Sequence, residues 1–163
     1  DADDVERIAD LAIEAVIKRA GKIIVVGNGG SAAIAGHVAV DLTKAAGMRA
    51  INFNDAALLT CFGNDYGYEH WVEEAINAYA DPEDLIILIS SSGRSENMIN
   101  AAQRADELGI DVVTLTGLDE ANPLRAFGKV SLWCDSSHYN VVENAHQIWL
   151  LAVVDYLIHL KAQ

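Results

Sequence analysis

The spacing of apolar residues along this chain switches period again and again. Over residues 5–20 they fall at Val5, Ile8, Leu11, Ala12, Ala15 and Val16, the three-to-four spacing of a single helix face. Gly21 ends that run. Residues 22–26 are then almost uninterrupted apolar, as a strand buried on both faces would be. The same alternation recurs downstream. Residues 31–46 predict a helix stopped by Gly47, residues 49–53 a strand, and residues 55–62 a short helix with Asp55 as its cap. A turn is expected at Gly63-Asn64-Asp65, a helix over 68–79 and a break at Asp81-Pro82. Residues 84–89 predict a strand, 95–108 a helix closed by Gly109, 111–116 and 129–133 two further strands, and 141–160 a long apolar helix. Strands alternating with helices in this way predict an α/β fold with a five-stranded parallel sheet covered on both faces. No repeat, low-complexity tract or linker interrupts the pattern, so residues 1–163 are expected to form one domain.

Two of the strand-to-helix junctions are chemically unusual. The first is Gly27-Asn28-Gly29-Gly30-Ser31 and the second is Ser90-Ser91-Ser92-Gly93-Arg94-Ser95. A helix N-terminus offers unpaired N–H groups and a partial positive charge. Glycine lets backbone approach a ligand closely, and serine adds hydroxyl donors. The glycine turn matches neither the dinucleotide pattern G-x-G-x-x-G nor the P-loop ending G-K-[ST], and alone it fits a tight connection. The second turn is more pointed. Capping the next helix needs one serine, and four are present within six residues. The pair of turns therefore predicts a cradle for a small phosphorylated molecule, at the carboxyl ends of strands where α/β sheets bind ligands.

Composition narrows the partners. The formal net charge is −13, the opposite of a nucleic-acid footprint. A phosphate would therefore be held by local dipoles and hydroxyls, not by the overall field. The two cysteines, Cys61 and Cys134, form no C-x-x-C pattern and read as free thiols of a cytoplasmic protein. No run is long and uncharged enough for a membrane span, and no signal peptide is visible. The chain opens on Asp1, which suggests a trimmed or incomplete N-terminus.

The segments GNGGSAAIAGHVAVDLT, FGNDYGYE, ISSSGRSENM and VTLTG occur in this order and resemble the sugar isomerase (SIS) domain, within it the phosphoheptose isomerase group. The resemblance extends over residues 21–160. It implies a flavodoxin-like three-layer α/β/α sandwich, a homotetramer, a phosphorylated sugar as partner, and an N-terminal helical segment that is shortened here. By position it implies that Asn28, Gly29, Gly30 and Ser31 line the substrate site, that Asn64 and Asp65 contact the sugar, and that Ser90, Ser91, Ser92 and Ser95 hold the phosphate. At positions 37 and 41 the family carries His and Glu, as metal ligand and as acid/base; this chain has His37 and Asp41. In the last helix the family carries Gln and, eight residues on, His; this chain has Glu143 and Leu151. No cofactor follows from the residues themselves. The resemblance admits zinc, held by His37, Asp41 and Glu143.

Aldose–ketose isomerisation moves a proton between adjacent carbons through an enediol, which needs a base at carbon and an acid at the carbonyl oxygen. Asp41 and Glu143 are the expected pair, with His37 or His146 polarising the carbonyl and Gln147 as a further polar group on the Glu143 face. Plainer roles compete with these. His37 and Asp41, four apart, fit a helix-surface pair. His146 fits core packing, and Glu143 fits the first turn of the last helix. The expected activity is isomerisation of sedoheptulose 7-phosphate or a related sugar phosphate, with Arg94 a candidate for altered selectivity. The alternative is a non-catalytic sugar-phosphate sensor, or a regulatory protein that associates with the replication initiator DnaA; Leu151 favours it. The last helix is apolar on more than one face, which predicts a subunit interface.

Overall fold

The computed structural model describes residues 2–163. Five strands run in chain order: β1 Ile23–Gly27, β2 Ala50–Asn52, β3 Leu85–Ile89, β4 Asp111–Gly117 and β5 Val130–Cys134. They pair all-parallel in the order β2-β1-β3-β4-β5. Six helices accompany them: α1 Ala2–Ile13, α2 Gly30–Asp41, α3 Ala56–Tyr66, α4 Trp71–Tyr79, α5 Glu96–Glu107 and α6 Tyr139–Lys161.

The period-two pleat of the strands sorts their side chains into two cores. Ile23, Val25, Leu85 and Ile87 pack with Ile8 and Ala12 of α1, Ile34 and Val38 of α2, and Leu150 and Val154 of α6. Ile24, Val26, Ile86 and Leu88 face the other way, onto Trp71 and Ile76 of α4 and Met98 and Ala102 of α5. That is the expected three-layer sandwich. The continuous apolar runs of β1 and β3 follow from burial on both faces, since every residue of both strands is buried.

Several expected boundaries shift for local reasons. The first helix does not run unbroken to residue 20; α1 passes into a widened turn, Glu14–Lys18, where Arg19 N–H reaches back to Glu14 O at 3.0 Å. α2 likewise widens over Leu42–Ala46 before ending at Gly47. The tripeptide Gly63-Asn64-Asp65 is the last part of α3, not a turn; the break comes at Gly67, and α4 starts at Trp71. Asp55 caps α3 as expected, its carboxylate accepting from Ala57 N–H at 2.9 Å and Leu58 N–H at 3.1 Å. α6 begins at Tyr139, so Glu143 lies beyond the first turn and does not cap the helix.

Candidate functional site

Strand order decides where the two turns meet. From β1 the chain crosses to β2 on one side and then to β3 on the other, so β1 and β3 are neighbours with oppositely directed crossovers. This is the switch point at which doubly wound sheets open a crevice. Gly27 and Ile89 are register partners, and the glycine turn and the serine turn therefore leave the sheet side by side. Between them is a cleft of about 140 Å³ lined by Asn28, Ser31, Ile89, Ser90, Ser91, Ser92, Ser95, Tyr139 and Glu143. That volume corresponds to roughly four or five waters, enough for a phosphoryl group and its nearest carbons.

The serine turn is held from behind. Ser90 N–H donates to Leu115 O at 3.0 Å and Gly117 N–H to Ser91 O at 2.9 Å, extending the β3–β4 pairing past the strand end. Gly93 has φ +61°, and a Cβ there would run into the buried Asn122 side-chain amide, so the position favours glycine. The hydroxyls are arranged unequally. Ser90 Oγ lies 3.3 Å from Ser95 Oγ, and Ser92 Oγ accepts from Arg94 N–H at 3.2 Å. Ser91 Oγ is buried without a hydrogen-bond partner among the described residues. Ser95 occupies the cap position of α5 yet makes no side-chain cap bond. The plain capping role therefore does not account for these serines. Arg94 points to the far side, bonded to Asp119 Oδ2 at 2.5 Å. That guanidinium, followed by the Ala121 N–H, holds the Asp119 carboxyl below its ordinary range.

Glu143 reaches the opposite wall. A Cβ at Gly30 would come within 2.6 Å of Glu143 Oε2, so the missing side chain is what admits the carboxylate to the first turn of α2. The dipole of that helix favours negative charge there.

The remaining expected site residues lie elsewhere. His146 is fully buried, with Nε2 3.0 Å from Thr116 O and Nδ1 unpartnered. Burial pushes its imidazole below the ordinary value, against a smaller opposite pull from the Thr116 carbonyl. It is a core histidine and does not reach the cleft. Asn64 and Asp65 are exposed on α3, bonded to each other at 2.8 Å, and do not line the cleft either. His37 Nε2 sits 3.1 Å from Asp41 Oδ2, and Gln147 Nε2 lies 3.2 Å from His37 Nδ1. Asp41 ends α2 while Gly30 begins it, a separation of about 16 Å at the helical rise. Within one chain, Asp41 and Glu143 thus do not converge on one cleft.

This geometry does not fit the zinc set. Among the described residues no three His, Cys, Asp or Glu side chains are placed to hold a metal. Leu151 has no ligating atom. Sequence reasoning also missed three residues: Tyr139 at the cleft rim, and Tyr68 and Asn97, whose side chains bond Asn28. Tyr68 and Asn97 fall within the segments FGNDYGYE and ISSSGRSENM, but nothing in either segment shows that their side chains meet Asn28.

Comparison with known proteins identifies the family and the fold. The profile of the family described as the SIS domain matches residues 1–117. A phosphoheptose isomerase of Aliarcobacter butzleri is 40% identical over 136 residues, which cover 80% of this chain and 68% of that protein. One from Enterobacter sp. is 33% identical over 161 residues, covering 96% of this chain and 81% of that protein. The solved phosphoheptose isomerase of Neisseria gonorrhoeae superimposes with a TM-score of 0.88 at 31% identity, over 95% of this chain and 86% of that one.

Proposed function

Because this chain belongs to the SIS domain family, we propose that it is a sugar-phosphate aldose–ketose isomerase whose substrate is sedoheptulose 7-phosphate or a close relative. The observation that carries this is the cleft at the switch point, with the unpartnered Ser91 hydroxyl on one wall and the Glu143 carboxylate on the other. The serine turn and the bare N-terminus of α5 supply donors for the phosphate. Binding there holds the sugar so that its carbonyl end lies toward Glu143, and the phosphate's binding energy orients the reacting carbons. Similarity to proteins named as isomerases weighs for catalysis over a sensor.

A single-chain cleft offers one carboxylate, and the reaction needs a second acid/base group. We place that group in a neighbouring copy. The His37–Asp41 pair is flanked by apolar residues that a single chain leaves exposed, Val40 at 58% and Ile148 at 65%. Burying this surface between copies would bring His37 and Asp41 of one subunit toward the cleft of another, in a homotetramer. Asp41 and Glu143 would then share the proton transfers while His37 polarises the carbonyl. No step is routed through a metal. The protein is placed in the cytoplasm, in keeping with its free Cys61 and Cys134; among the described residues no helix is long and apolar enough to cross a membrane.

The test is proton NMR of the protein mixed with sedoheptulose 7-phosphate. Appearance of aldose phosphate signals is expected. Ligand line-broadening with no new sugar species would assign a sensor instead.

A further inference from the structure

Asn28 lines the cleft, but most of its amide is committed elsewhere. Its Nδ2 donates to Asn97 Oδ1 at 3.0 Å, and Asn97 Nδ2 donates back to Asn28 Oδ1 at 3.0 Å. Tyr68 Oη–H donates to the same Asn28 Oδ1, also at 3.0 Å. The two amides thus form a closed ring, and the tyrosine adds a second donor to one of its oxygens. Asn97 is 2% exposed, in the first turn of α5 just beyond the serine turn. Asn28 belongs to the glycine turn after β1. The ring therefore bolts one ligand-facing turn to the helix that follows the other.

The ring ties the orientation of the Asn28 amide to that of Asn97. Reversing either amide alone would set an NH₂ group against an NH₂ group and break both ring bonds. One Nδ2 hydrogen is taken by Asn97; among the described residues the second has no partner. We infer that Asn97 is a positioning residue for the reaction proposed above: by fixing the Asn28 amide it keeps a free N–H donor at the cleft and holds the two turns in register, with Tyr68 as the third member of the clamp. Asn97 does not line the cleft, so it acts on substrate through Asn28.

The inference rests on the sugar-phosphate reading, and its test separates the two. Affinity for sedoheptulose 7-phosphate is measured by calorimetry on the wild-type chain, Asn97→Leu and Tyr68→Phe, alongside kcat, KM and the thermal midpoint. Asn97→Leu is close in size and removes both ring bonds. The expected result is about a tenfold or larger rise in Kd and KM, in line with the cost of a small misplacement, with kcat within about twofold. A purely structural role would lower the midpoint and leave Kd unchanged for the folded protein; that outcome overturns the inference and leaves the proposed function standing. Should Asn97→Leu fail to fold, Tyr68→Phe decides. It removes one hydroxyl from a side chain 52% exposed, and about a threefold rise in Kd is expected; an unchanged Kd overturns the inference. If the wild-type protein neither binds nor converts the sugar phosphate, the functional reading fails and takes this inference with it.

Discussion

Ser91 carries the sharpest claim that a single residue makes here. A buried hydroxyl without a partner is a standing cost, and native proteins keep few of them. Its neighbours Ser90, Ser92 and Ser95 all have internal contacts, so under the proposed function Ser91 is the hydroxyl left for a ligand. Ser91→Ala should therefore have effects of opposite sign with and without ligand. In the free protein the thermal midpoint should stay the same or rise, because an unsatisfied group has gone. Binding of sedoheptulose 7-phosphate should weaken about tenfold, the scale of one charge-assisted hydrogen bond. Calorimetry and thermal melts on one sample read both. A destabilised apoprotein with unchanged affinity would mean that Ser91 serves the fold alone. The serines were legible from sequence because four polar residues at the end of an apolar strand have no packing use; which of them lacked a partner was not, since that depends on where Leu115, Gly117 and Asn122 press against the loop.

At the scale of elements, the serine turn behaves as an extension of β3 buttressed by the segment after β4. Asn122 is the hinge of that support: its Nδ2 donates to Thr116 Oγ1 at 3.2 Å and to Asp119 O at 2.7 Å, and its side chain fills the space beside Gly93. Gly93→Ala should lose roughly 1–2 kcal/mol to the left-handed backbone alone, plus the cost of displacing the buried Asn122. We expect a lower midpoint together with weakened sugar-phosphate binding, because strain enters the ligand loop itself; urea melts and calorimetry check this, and an unaltered midpoint would show that the turn yields freely. Periodicity located β3, α5 and β4 in this region to within a residue, but not the short 3-10 helix Pro123–Phe127. It failed at Gly63-Asn64-Asp65, where residues typical of turns continue α3. There the Asp55 cap and the packing of Leu58, Leu59 and Phe62 on the core outweigh weak helix propensity.

At the scale of the whole molecule the acid/base pair is the open requirement. Asp41 and Glu143 lie on different parts of the α2–α6 layer, and the proposed remedy is a neighbouring copy. Asp41→Asn and Glu143→Gln should each cut turnover at least about a hundredfold while leaving sugar-phosphate binding intact. Mixed and reassembled, the two inactive variants should regain measurable turnover, since some clefts would then receive both wild-type carboxylates. No recovery from a mixture shown by native mass spectrometry to exchange subunits would confine the chemistry to one chain. α6 shows the same dependence on scale. Its sequence is apolar around much of its circumference, yet one face packs on the sheet through Val142, Leu150, Val153 and Leu157 while Val141 and Ile148 stay exposed.

What the chain determines by itself is local. The switching of hydrophobic period sets the number, type and order of the elements, and full burial of strand residues requires helices on both faces, so the layered sheet follows without coordinates. The hydroxyl-rich turn was likewise visible, because its composition contradicts its neighbours. Only the tertiary structure decided which turns touch. Strand order β2-β1-β3 brings residues 27–31 beside 90–95, closes the Asn28–Asn97 ring, opens Gly30 to Glu143, and buries His146 away from the cleft. Those contacts join residues 30 to 113 positions apart, and such distances are bridged by packing of the sheet as a whole, a property that no stretch of sequence carries in its own pattern.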